Sequence, residues 1–269
     1  VTSLRATLVA IIIVFNLAPA SVVAADTCQG LFRVSGPLLD LRYGRASQND
    51  PYLETEGLIH SSGSQLCGPT CLFNGLAKFH RIEGRDVYAE GPRRIADLVR
   101  QLFPLTGFDV VSKGARPQDL AHVMRSALRE EKIDAAIQLY SSVESSSQFT
   151  NPIIGRPSLE LLHQSILDDT IVIAEIGRYG VTDPNDAREN LRFDGHYVIV
   201  AGYNPDIPSQ IIVIDPNSPR QLRIVDLELI HPERFPARAF QARYVDSGDT
   251  QSVRLIEALI VVKRRQPIH

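Results

Sequence analysis

Gln65-Leu-Cys-Gly-Pro-Thr-Cys-Leu-Phe-Asn-Gly-Leu-Ala-Lys-Phe-His80 carries two of the chain's three cysteines, four residues apart across a Gly-Pro pair. Proline at position 69 suits a first helical turn, where its missing N–H leaves no bond unmade. Leu72, Leu76, Ala77 and Phe79 then recur at helical spacing. The stretch therefore reads as a thiol at the mouth of a helix. Unpaired backbone N–H groups and the positive end of the helix dipole favour the thiolate there, which is the nucleophilic form.

Outward from this helix the order of elements sets the fold class. His60 to Ser64 form a loop leading into it. Downstream, Ile95, Leu98, Val99 and Leu102 mark a second helix, and Arg116-Pro-Gln-Asp119 opens a third that buries Leu120, Val123, Met124 and Leu128. Ala135 to Tyr140 is a short strand, and Ser158 caps a helix carrying Leu159, Leu162 and Ile166. The continuous β-branched run Thr170-Ile-Val-Ile-Ala174 is a buried strand. Strands follow at His196 to Tyr203, Gln210 to Ile214, Gln221 to Val225 and Ala258 to Val262. Helices first and an antiparallel sheet afterwards define an α+β layout. Polar loops at 141–157 and 177–195 supply pocket-lining residues on this reading.

The first 25 residues differ in kind. Arg5 precedes an uncharged stretch from Ala6 to Ala20, and small residues follow at Ser21 to Ala25. That is the pattern of a secretory signal peptide, too short and too interrupted by Asn16 and Pro19 for an anchor helix. The expected organisation is a signal peptide over 1–25, an irregular extension over 26–55 and one domain over 56–265. An exported bacterial protein, secreted or periplasmic, is expected. In an oxidising compartment three cysteines suggest one bridge and one free thiol, and the spacing leaves open which of Cys28, Cys67 and Cys71 pair. The formal net charge of −3 lacks the basic stripe of nucleic-acid binders. The seven histidines show no ligand spacing, so no metal or other cofactor is expected. Asp183, Asn185 and Asp186 lack the glycine and distal glutamate of an EF-hand loop.

A second stretch supplies partners for the thiol. Asp194-Gly-His-Tyr-Val-Ile-Val-Ala-Gly-Tyr203 and Gln210-Ile-Ile-Val-Ile-Asp-Pro-Asn217 read as a hairpin. With the turn at Asn204 to Ile207, Tyr203 faces Pro208 and His196 stands directly opposite Asp215. Directly opposed side chains are close enough for an imidazole–carboxylate hydrogen bond. Thiol catalysis needs a cysteine, a base to activate it and a group to orient the base. Cys67 or Cys71 fills the first role, His196 the second and Asp215 the third. The nucleophile's own N–H and the Gln65 side chain are the oxyanion donors within reach.

Cys67-Gly-Pro-Thr before a helix, Gly195-His-Tyr-Val-Ile-Val-Ala-Gly-Tyr203 and Ile212-Val-Ile-Asp-Pro216 resemble the bacteriocin-processing (double-glycine) cysteine peptidases and their stand-alone secreted relatives. The resemblance covers roughly residues 56 to 230; phytochelatin synthases share a similar order of motifs. It implies a papain-like fold, with the nucleophile helix of an N-terminal helical part packed on a C-terminal antiparallel sheet. It also implies a Cys-His-Asp triad with Cys67 as nucleophile, and a peptide or protein substrate. The family's upstream oxyanion glutamine falls where Ser61 stands. Gln65 lies two residues before Cys67 and six before Cys71, and the latter spacing is the papain-like one, so Cys71 stays in contention. An amidase or transpeptidase on cell-wall or glutathione-like amides, and a catalytically silent binding module, are the rival readings.

Overall fold

The computed structural model describes residues 22–23, 32–34, 46–59, 65–82, 87, 90–107, 109–142, 153–180, 192–228, 240–243 and 252–265. Two-residue strands β1 (Val22–Val23) and β2 (Arg33–Val34) precede helices α1 (Pro51–Thr55), α2 (Cys67–Ile82) and α3 (Gly91–Asp97). Then come α4 (Val110–Lys113), α5 (Pro117–Glu130), β3 (Ala135–Ser141), β4 (Ile153–Gly155) and α6 (Leu159–Ser165). The chain finishes with β5 (Thr170–Gly180), β6 (Arg192–Tyr203), β7 (Gln210–Ile214), β8 (Leu222–Glu228), β9 (Phe240–Arg243) and β10 (Ser252–Arg264). The fold is α+β. Of the leader expected over 1–25, only Val22–Val23 is described, paired with β8.

Local chemistry accounts for the helix ends. Asp50 caps α1 by accepting from the Tyr52 N–H, and Ser158 caps α6 by accepting from the Leu161 N–H. The second expected helix breaks into three pieces: α3, a π-helical turn at Leu98–Leu102 and a 3-10 turn at Phe103–Thr106. Pro104 has no N–H to continue an α-helix, and the chain is already a 3-10 turn where it stands.

Helix α2 is buried from Cys67 to His80 on every side, not only along the apolar stripe. Three of its buried polar side chains reach a partner. Asn74 exchanges two 3.0 Å hydrogen bonds with the Ala46 backbone. Lys78 donates to the carbonyls of Leu167 and Thr170. His80 Nε2 lies 2.5 Å from Glu131 Oε2. Gly75 lets the helix rest on β5: a Cβ there would stand 2.8 Å from a methyl of Ile171.

The sheet runs β1-β8-β7-β6-β5-β10-β3-β4, with β2 beside β6. All pairs are antiparallel except β3–β4, so the expected antiparallel sheet is in fact mixed. Strand β9 pairs with both β8 and β10, which closes β5 to β10 into a ring. The outer face of the ring carries Ile173, Tyr197, Ile199, Ile212 and Ile214 into the core shared with α2 and α5. The inner face carries Ala174, Ile176, Val198, Val200, Val213 and Ile256, joined by Leu162 and Ile166. Helix α6 lies at the hairpin end of the ring, where the His163 ring stacks on Tyr203 at 4.1 Å.

Three expectations need adjustment. The loop expected over 177–195 is strand at both ends, since β5 runs to Gly180 and β6 starts at Arg192. Charged residues inside those ends hide the apolar alternation that marks a strand. The extension expected over 26–55 is, from Ala46 onward, part of the packed domain, with Ala46 and Leu53 in the helical core. The hairpin register also differs, and this bears directly on the site.

Candidate active site

Strand β6 delivers His196 and the turn after β7 delivers Asp215. Their meeting depends on a register that the sequence alone does not give. The turn is longer than Asn204 to Ile207, with the Asn204 N–H bonded to the Gln210 carbonyl, so Tyr203 pairs with Ile211 rather than facing Pro208. Carried on unchanged, that register would put Asp215 level with Ile199, on the face opposite His196. A register shift between Val200 and Gly202 prevents this, leaving Ala201 as the extra residue. Ile199 then pairs with Ile214, which sets Asp215 level with Val198, two residues from His196 and on its face. The two are diagonal neighbours rather than directly opposed. Their side chains still meet, with His196 Nε2 2.9 Å from Asp215 Oδ1.

Asp215 is held from several directions. Its Oδ1 also accepts from the Asn217 N–H at 2.9 Å, so one carboxylate both opens the turn and orients the histidine. Arg223 Nη1 stands 3.4 Å from Oδ2. The turn itself is braced by the segment before α1. The Gln48 N–H and the Ser47 hydroxyl donate to the Pro216 carbonyl, and the side chains of Gln48 and Asn49 donate to Asn217 Oδ1.

Cys67 is the first residue of α2 and is buried, and its side chain is near enough to His196 to help raise the pKa of the ring. With Nε2 engaged by Asp215, Nδ1 is the ring nitrogen left for the thiol. The two motifs fit together through Gly68, where a Cβ would lie 3.0 Å from Ala115 and 3.4 Å from the Tyr197 ring. Tyr197 in turn donates from its hydroxyl to the Ala115 carbonyl. The Gly after the cysteine and the Tyr after the histidine thus bring helix and strand to contact distance.

Electrostatics separates the two thiols. Burial disfavours a charged His196 ring, but hydrogen bonds to Asp215 and Cys67, and their negative charge, outweigh it and raise the pKa to about 10. The imidazolium therefore persists at neutral pH at the mouth of α2. Asp215 moves the other way. Burial favours its neutral form, but His196, the Asn217 N–H and Arg223 overcome this and lower the pKa. Cys71 sits one turn deeper in α2, and burial, then the charges of Cys67 and Asp215, push its pKa well up. A buried thiol held neutral is a poor nucleophile.

Cys67 and Cys71 are both free, so neither is in the bridge expected from the cysteine count. Cys28, Ser61, the leader before Val22, and Asp183, Asn185 and Asp186 lie outside the described residues. Gln65 is half-buried just before α2, with Oε1 3.6 Å from where a Cβ on Gly114 would stand. Among the described residues no cluster of His, Cys, Asp or Glu is arranged to hold a metal ion, and no helix is long and apolar enough to cross a membrane.

The structure adds residues that the motifs did not signal. A cavity of about 240 Å³ opens on the inner side of His196 and Asp215, and Arg178, Arg223 and Arg254 line it. These arginines are scattered over β5, β8 and β10, so only strand pairing brings them together. Compared with known proteins, the chain matches no family model and no curated protein.

Proposed function

We propose that the chain is an exported, papain-like thiol hydrolase that cleaves peptide bonds, related to the double-glycine cysteine peptidases. The observation that carries this reading is the relay of Cys67, His196 and Asp215, with the 2.9 Å histidine–carboxylate bond at its centre. Cys67 Sγ attacks the substrate carbonyl carbon and forms a tetrahedral oxyanion. The Cys67 N–H, at the start of α2, and the Gln65 side chain are its proposed donors. As the C–N bond breaks, His196 gives its proton to the leaving amine, and a thioester to Cys67 remains. Water then attacks the thioester while His196 takes up the water's proton, and the acid product leaves with the thiol restored. Throughout, Asp215 fixes the ring and stabilises its charged form.

Turnover of a fluorogenic peptide library by wild type, Cys67→Ala, Cys71→Ala and His196→Ala tests the reading. Loss of about 10³-fold or more is expected for Cys67→Ala and for His196→Ala, against a small change for Cys71→Ala. Activity retained in Cys67→Ala would overturn the assignment. A folded wild type that hydrolyses no peptide would favour the silent module.

A further inference from the structure

His196, Asp215 and Arg223 form one diagonal row across the inner face of the ring. Asp215 stands level with Val198 and two residues from His196, because Ile199 pairs with Ile214. Arg223 pairs with Val213 across β7 and β8, and Asp215 lies two residues beyond Val213. Each step of the row therefore joins diagonal neighbours on one face, within reach of long side chains. The carboxylate in the middle is shared between two cations. Its Oδ1 meets His196 Nε2 at 2.9 Å, and its Oδ2 meets Arg223 Nη1 at 3.4 Å. The side chains of Arg223 and Asp215 are only 19% and 6% exposed, so salt and water screen this pair less than one on the surface.

The thiol-hydrolase reading of Cys67 and His196, on which this inference rests, gives the sharing a consequence. In the second half-reaction the oxygen of water bonds to the acyl carbon, and one of its protons passes to His196 Nδ1. That proton returns to Cys67 Sγ as the C–S bond breaks. The ring must be neutral to accept it. Cys67 is acylated and uncharged at that stage, so Asp215 is the carboxylate that draws the bonded ring toward its charged form. A guanidinium on Oδ2 opposes this pull, because its positive charge disfavours a second one close by. It also fixes the plane of the carboxylate, with Oδ1 aimed at the ring. Arginine suits the task, since it is planar and stays charged at every working pH.

We propose that Arg223 is a positioning residue of the triad, which holds the Asp215 oxygen not used by His196 and limits how tightly the ring retains its proton. The test compares Arg223, Arg223→Gln and Arg223→Lys. NMR titration of the His196 ring in the Cys67→Ser background reads its proton affinity with no thiolate beside it. The midpoint is expected to rise by about half a pH unit or more in Arg223→Gln. It should stay near the parent value in Arg223→Lys, which keeps the charge. With Cys67 restored, the acid limb of kcat for peptide hydrolysis should move up by a similar amount in Arg223→Gln, because the neutral ring is the active form, while KM changes less than about twofold. The other charged or titratable groups around the pair are Arg178 on β5, Asp194 on β6, Arg254 on β10 and Cys67 and Cys71 on α2. None of them differs between the Arg223 variants within either background.

A ring midpoint unmoved in Arg223→Gln would overturn the proposal, as would an equal rise in Arg223→Lys, which would trace the shift to lost packing. A wild-type measurement stands even if a variant fails to fold. The Arg223 guanidinium resonances should shift as Asp215 titrates at acid pH, and resonances blind to that step would overturn the proposal too. A ring shift in a protein that hydrolyses no peptide would keep the role of Arg223 and remove the hydrolase reading. Hydrolysis with both the ring midpoint and the kcat limb indifferent to Arg223→Gln would do the reverse.

Discussion

His196 carries two opposed demands, and the balance between them sets how the site responds to pH. Burial penalises its charge, yet Asp215 and Cys67 keep the ring charged up to about 10. Because the folded pKa lies above the ordinary 6.5, the stabilisation is complete below about 6.5 and is lost as pH climbs through about 10. Asp215 has a lowered pKa, so its contribution is lost as pH falls through that lowered value. The stability gap between wild type and Asp215→Asn should therefore be widest and flat between pH 3.8 and 6.5, roughly 1–3 kcal/mol, and should narrow as pH rises from 6.5 toward about 10 and as it falls below 3.8. Denaturant midpoints across pH measure it, and a gap that widened above pH 10 would contradict the pairing. The His–Asp partnership was legible because a polar residue heads one apolar strand and another ends the next. Its register was not, because the bulge at Ala201 falls in an unbroken apolar run. Side-chain parity survived because the net offset is even.

At the scale of elements, α2 is the piece that packs against β5, β6, α3 and α5 together. Its start was legible from Gly68-Pro69 and its core face from Leu72, Leu76 and Phe79. What the pattern hid is the burial of its polar face, since Asn74, Lys78 and His80 read as solvent-facing until their partners are known. Lys78 ties α2 to the segment between α6 and β5. Burial lowers its pKa from 10.5 to about 7, although Asp168 and Asp169 oppose this. The unfolded chain then binds more protons than the folded one between those values, so stability rises with pH across that window. Wild type should accordingly gain stability relative to Lys78→Met as pH rises from about 7 to 10.5. Measuring both proteins together removes the opposite trend from His196. A difference independent of pH would mean that Lys78 stays charged in the fold.

At the scale of the molecule, a helical half presents a thiol at the end of a ring-shaped sheet. The site lies where outer and inner faces meet. That arrangement depends on the segment before α1, which sequence reading treats as an extension because Ser47, Gln48 and Asn49 carry no motif. Their bonds to Pro216 and Asn217 span some 169 residues of sequence, and separations of that length leave no periodic trace. A chain beginning at Glu56 should lose Asn74's backbone partner and the brace on Asp215. Its thermal midpoint should fall by several degrees or more, and unchanged stability and activity would show that the brace is dispensable. The central claim is that Cys67, and not Cys71, is the nucleophile, activated by His196. Its most direct test is labelling of the native protein by a peptide-electrophile probe, with the modified cysteine mapped by mass spectrometry. The adduct is expected on Cys67, kept in Cys71→Ala and lost in His196→Ala. An adduct on Cys71, or labelling of Cys67 indifferent to His196, would contradict it.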